Sequence, residues 1–367
     1  MSRPLTFGIE IEFALAAIPK GKENPCPELE DEIRGRITNF ELNEWDDRFG
    51  LMRRSVESHV AATIRAAGFP CDPYSPDMGD ATKWEVTTDP TIKVPTNGLR
   101  WFGIEIRSPA YYFCSESLYA VAEVLDLLKS TYCIHIDGNS CGLHVHVGNE
   151  NRNFTFQHVR NLHAFLFAFD SQISSLHPPY RQNRYWLKSP RALFHWGLGG
   201  QRPPTTKEGI LRYLQATDFR QLKQLGAPHI GTSAVNFFHV FEGMGEGRDT
   251  KRTVEFRQHE ASLKGATVIN WIKTVVGIVE YTRTIHPDAF IELLAMSVES
   301  EDVKDEGKPI LAEEGFTIVD LLRAIGQLGP ARFYKDRGIF RNRPVYSVDQ
   351  PYELKWDTTP GYDCIYR

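Results

Sequence analysis

Five segments of the chain alternate apolar and polar residues strictly enough to predict β-strands. In Phe7-Gly8-Ile9-Glu10-Ile11-Glu12-Phe13 the apolar residues share one side and Gly8, Glu10 and Glu12 the other, because strand side chains alternate. Phe102–Arg107 sets Glu105 and Arg107 opposite Phe102, Ile104 and Ile106. Leu143–Val147 sets His144 and His146 opposite three aliphatics, and Val254–His259 gathers Glu255, Arg257 and His259 on one face. Trp84-Glu85-Val86 is a shorter case, with Asp89 just beyond it. Residues 55–67, 115–130, 155–175, 265–285 and 317–328 repeat apolar residues at helical spacing, as Val159, Leu162, Phe165, Leu166 and Phe169 do. The pattern predicts an α+β fold, an antiparallel sheet with helices packed on its apolar face.

Taken singly, each reads as an ordinary strand with one wet face. Taken together, the polar positions are almost only Glu, His and Arg, where a solvated face would mix Thr, Ser and Lys. Gly8, Gly103 and Gly148 are expected to leave room above the sheet. If the strands share one sheet, Glu10, Glu12, Glu85, Glu105 and Glu255 converge on one concave surface. Like charges ~7 Å apart at an effective dielectric near ~20 repel by about 2 kcal/mol per pair. Arg107 and Arg257 cannot offset all of that; bound cations can. Carboxylates with an added imidazole are hard donors that suit Mg²⁺ or Mn²⁺ better than Zn²⁺ or copper. Such a cluster edged by Arg is what handling a nucleotide's phosphates requires.

Composition narrows the partners. The 367 residues carry 42 Lys+Arg against 47 Asp+Glu, a net charge of −5, so nothing supplies the basic excess that tracks a nucleic-acid backbone. Apolar runs are interrupted by Asp170 and Lys273 before reaching membrane-spanning length, and Glu10 and Glu12 precede any signal-peptide core. Cysteines 26, 71, 114, 133, 141 and 364 form no Cys-x-x-Cys pair, which predicts reduced thiols in a cytoplasmic protein. Cys364 stands where prenylation needs it, but Tyr366 and Arg367 fit that signal poorly. Residues 19–50 read as a charged insertion, and Glu299–Lys308 as an acidic linker. The expected organisation is a catalytic domain over 1–290 and a helical extension over 291–367.

An early Glu-x-Glu strand (Glu10, Glu12), a Gly-x-His-x-His strand (Gly142, His144, His146) and a late Glu-x-Arg strand (Glu255, Arg257) together resemble glutamine synthetase and its carboxylate–amine ligase relatives. More closely, FGIEIEF, WEVTTDPTI, GIEIRSPAY, CGLHVHVG and VEFRQHE resemble an amidoligase family of that superfamily, over roughly residues 5–285. The resemblance implies a curved antiparallel sheet of the glutamine synthetase catalytic type. It implies that Glu10, Glu12, Glu105, His144 and Glu255 hold Mg²⁺ or Mn²⁺, with His144 alternatively meeting a substrate carboxylate. His146 and Arg107 would face ATP, and Arg257 would stabilise the transferring phosphoryl group. Glu85 and Asp89 match the family's Trp-Glu…Asp segment without an assigned role. The implied reaction phosphorylates a carboxylate with ATP and lets ammonia or an amine attack the acyl phosphate; small-molecule or peptide carboxylates and amines are the implied partners. No counterpart of glutamine synthetase's glutamate and ammonium loops is found, so substrate identity does not transfer.

Other features carry less. Arg181 to Arg191 concentrates cations and aromatics, and Arg184 there could hold a substrate carboxylate or the ATP tail, although as a surface loop with ordinary ion pairs the segment needs no function. Asn236 is placed on a strand pairing with 252–260, either in the site or satisfying backbone groups. Glu242–Arg248 reads as a hairpin, His163 as a core histidine and Cys141 as a buried thiol. Two further readings stay open. Gly138, His144, His146 and Glu150 match the opening spacing of a cupin metal motif, which would imply a metal-dependent oxidoreductase or isomerase. The motif's later Gly falls at Gln157, and the helix at 155–175 stands where a cupin needs strands. The same sheet could also serve a non-catalytic ligand-binding module.

Overall fold

A computed structural model describes residues 4–19, 23–24, 35–40, 51–74, 80–150, 152–182, 187–198, 204–226, 233–242, 251–299, 301–302, 310–311 and 315–338. They form two compact units, one from 8–144 and 260–269, the other from 4–7, 145–259 and 270–338. Each contains part of an open, largely antiparallel sheet with helices. Arg184, Cys364, residues 243–248 of the expected hairpin and most of the segment 19–50 lie outside the described residues.

In the first unit the strands are β1 (Thr6–Pro19, from Gly8 on), β2 (Thr38–Phe40), β3 (Cys71–Pro73), β4 (Trp84–Thr88), β5 (Arg100–Arg107), β6 (Tyr111–Tyr112), β7 (Ile134–His135) and the start of β8 (Gly142–Gly148). The order β3-β4-β5-β1 runs antiparallel except for the parallel β3–β4 pair. Alternation explains the strands: Ile9, Ile11 and Phe13, and across from them Ile104 and Ile106, are almost wholly buried. The register sets Glu10 and Glu85 both beside Arg107, and Glu12 beside Glu105. The helix Leu51–Ala66 packs on β3, β4 and β5 and buries Val56, Val60, Ala61 and Ile64.

The second unit holds the end of β8, then β9 (Val235–Asn236) and β10 (Thr253–Glu260), in the order β8-β10-β9. The helix expected at 155–175 is two pieces, Phe156–Ala168 and Asp170–Ser174, broken at Phe169. That expected at 317–328 ends at Ala324, because Gly326 takes a left-handed φ of 77° and a new helix, Leu328–Asp336, follows. The expected helix at 265–285 is Gly265–Thr284. Pro190–Leu198, Thr206–Gln215, Phe219–Gly226 and Pro287–Glu299 are helices the periodicity reading passed over. A signal for one was present: Thr205 and Glu208 form a capping box.

Two histidines tie this unit's interior together. His158 Nε2 donates to the Val279 carbonyl at 3.0 Å, linking the helix Phe156–Ala168 to the helix that ends at Thr284. His163, a core residue as expected, stacks on Phe237 with ring centres 3.9 Å apart. Burial lowers His158 to about 4 and His163 to about 3, so both are neutral at pH 7. The sign follows from linkage: the folded protein binds fewer protons than the unfolded chain below pH 6.5, so this stability is complete above that pH and lost on acidification toward pH 4. Stability against thermal unfolding should fall by about 2 kcal/mol between pH 7 and pH 5 from His158 alone. His158→Gln, which keeps a donor for Val279, should flatten that slope; a wild-type melting temperature level across this range would contradict it.

Candidate functional site

The polar faces are not wet. Glu12 and Glu105 are 8% exposed, His144 5%, His146 7% and Glu255 4%. Burying ionisable groups at this density demands compensation, and the structure supplies it separately in each unit.

In the first unit Arg107 is the hub. Its Nε meets Glu105 at 2.5 Å and Glu10 at 3.9 Å, and its Nη1 meets Glu85 at 2.9 Å. Burial opposes the Arg107 charge, but Glu105, Glu10 and Glu85 outweigh it and hold its proton above the usual guanidinium range. Glu105 moves upward from the ordinary carboxylate range because burial, then Glu10, outweigh Arg107. Glu12 accepts the Gly142 backbone N–H at 2.7 Å, which aims it from β1 toward the start of β8. His144 Nδ1 lies 3.4 Å from Glu10 and its Nε2 3.8 Å from Glu12. One ligand oxygen each from Glu12, Asp89 and Glu105 lie within 4.8 Å of one another. Three hard oxygen donors at that spacing fit a divalent cation of the Mg²⁺ or Mn²⁺ type.

In the second unit the hub is Glu255. Arg257 Nη1 donates to its Oε1, Asn236 Nδ2 donates to its Oε2 at 3.1 Å, and His146 Nε2 lies 3.9 Å away. Asn236 does stand on a strand paired with β10, directly beside Glu255, and its Oδ1 also accepts the Phe238 N–H. His146 Nδ1 is held by Thr253 Oγ1 at 3.0 Å, a partner invisible without the fold. The buried Arg257 Nε has no hydrogen-bond partner among the described residues, leaving a donor of a charged group available.

The model of one protein family, described as "Putative amidoligase enzyme", matches residues 3–279. The chain belongs to this family. No curated protein matches the chain. The five motifs from which the resemblance was read all lie inside the matched segment, and in this amidoligase family member each occupies a strand or its immediate flank.

Where the structure places the expected residues differs from residue to residue. Glu10, Glu12, Glu85, Glu105, Arg107 and His144 come together in one unit; His146, Asn236, Glu255 and Arg257 come together in the other. Asp89, which sequence left without a role, joins Glu12 and Glu105. The expected glycine clearance is corrected. A Cβ on Gly103 would lie 2.4 Å from the Asp89 carbonyl, and one on Gly148 would lie 2.8 Å from Thr6 Oγ1. The space at these two glycines is filled by the chain itself, and at Gly103 it admits the backbone of the segment that presents Asp89. The helix Phe156–Ala168 follows β8, where a cupin requires further strands. Among the described residues no helix is long and apolar enough to cross a membrane.

Proposed function

We propose that this amidoligase family member is an ATP-dependent carboxylate–amine ligase that works through an acyl phosphate with Mg²⁺ or Mn²⁺. The observation that carries the reading is the oxygen donor set of Glu12, Asp89 and Glu105, inside the segment matched by an amidoligase family. These three residues, with Glu10 and His144 beside them, would hold the cation. When bound, it would neutralise phosphate oxygens and raise the electrophilicity of the transferring group. Arg257 would direct its unpartnered Nε–H at charge developing on the phosphoryl group, with Glu255 and Asn236 fixing its base. His146 and Arg107 are assigned to the nucleotide phosphates. No nucleophilic Ser or Cys is required, which agrees with burial pushing the Cys141 thiol up to about 12.

On this reading the sheet is of the glutamine synthetase type, residues 1–290 form the catalytic domain and 291–367 an extension. The partners are a small-molecule or peptide carboxylate and an amine. The free cysteines 71, 114, 133 and 141 suit a cytoplasmic setting.

The test is release of ADP and phosphate from ATP with Mg²⁺ or Mn²⁺, across amino acids, polyamines and ammonia. Glu12→Ala should weaken Mn²⁺ binding measured by calorimetry about tenfold or more and lower turnover about 10²-fold. Absence of nucleotide binding, together with one tightly held iron or zinc, would sink the ligase reading and favour a metal-dependent oxidoreductase.

A further inference from the structure

We infer that Arg181 is a positioning residue, a backbone clamp that sets the aim of Arg257; the inference rests on the ligase reading for its kinetic consequence. Arg181 closes the short 3-10 turn Pro179–Arg181 and is 6% exposed. An interior guanidinium is costly unless its N–H groups are used. Arg181 gives its Nε and Nη2 N–H groups to one stretch of β10. Its Nη2 donates to the carbonyls of Arg257 at 2.9 Å and His259 at 3.2 Å, and its Nε donates to that of Gln258 at 3.2 Å.

Three successive carbonyls gathered on one rigid, planar group fix the backbone through residues 257–259. A surface ion-pair role, the ordinary reading of this cationic segment, would leave the group outside. Arg257 needs such fixing. Its guanidinium leans on Glu255 of the same strand, so the direction of its free Nε–H is inherited from the β10 backbone. The Arg257 N–H is held in turn by the Ala234 carbonyl at 2.8 Å. The clamp and this bond together hold one peptide segment. Lysine could keep the charge but not the fork that spans three acceptors.

The experiment compares the full-length protein with Arg181→Lys, alone and combined with Arg257→Ala. Hydrogen exchange should quicken about tenfold or more in peptides covering 255–261 and less elsewhere, while the lost carbonyl bonds also lower the melting temperature. In ADP release, Arg181→Lys should lower kcat about 10²-fold and leave KM for ATP within about twofold. On the Arg257→Ala background the same change should cost less than about threefold, because the aimed group is already gone. Equal losses on both backgrounds, or unchanged exchange at 255–261, would overturn the clamp. If the wild-type protein releases no ADP, the ligase reading fails by itself, and exchange alone then decides the clamp. Should Arg181→Lys not fold, Arg181→Gln, which retains a planar donor, takes its place.

Discussion

Arg257→Ala should lower ATP-dependent ADP release by about 10³-fold, the larger part of it in kcat. An arginine that meets a phosphoryl group only as charge builds up acts on the barrier and not on nucleotide affinity. Arg257→Lys should recover little, since an ammonium cannot both hold Glu255 and present a second donor from one rigid plane. The fold should survive, because Asn236 still donates to Glu255 and β10 keeps its buried Val254 and Phe256. Circular dichroism and melting temperature provide that control. Turnover unchanged within about threefold would remove Arg257 from the chemistry.

Gly209→Ala should destabilise the protein by about 3 kcal/mol. Two effects of opposite sign compete. In a helix interior alanine is favoured over glycine by about 1 kcal/mol. Against that, a Cβ at position 209 would lie 2.0 Å from Cε1 of Phe167, a ring that is fully buried between Phe194 and Tyr213. An aromatic ring so enclosed cannot rotate away, so the helices Thr206–Gln215 and Phe156–Ala168 must separate, and the overpacking term wins. Phe167→Leu placed on the same chain should return part of the loss by opening room for the methyl. The measurement is urea unfolding of the two single variants and the double. A Gly209→Ala chain as stable as wild type would show that the helix pair is looser than its contacts require.

The strand faces were legible because alternation is local: Glu10, Glu12, Glu105, His144, His146, Glu255 and Arg257 all stand on the polar sides where the pattern put them. Their depth was not legible. Whether a polar face is wet depends on what covers it, and here carboxylates and imidazoles are buried. Asp89 escaped assignment because its partners, Glu12 and Glu105, are joined to it by strand register, which no single segment encodes. Arg181 looked like a surface cation because its acceptors are backbone carbonyls some seventy-odd positions downstream, invisible in any side-chain pattern. The helix Thr206–Gln215 was within reach, since its capping box is a local signature.

The place of Arg107 among Glu10, Glu85 and Glu105 has a consequence for ion uptake. These carboxylates already own a counterion, covalently tethered and impossible to dilute away. A metal arriving there would find one cation among three carboxylates, so it would meet the remaining charge deficit while competing with Arg107 for the shared oxygens. On the ligase reading such a site would be tuned by exchange: Arg107 would lessen the repulsion among these carboxylates when metal is scarce, and an ion taking its place would release a guanidinium to another anion.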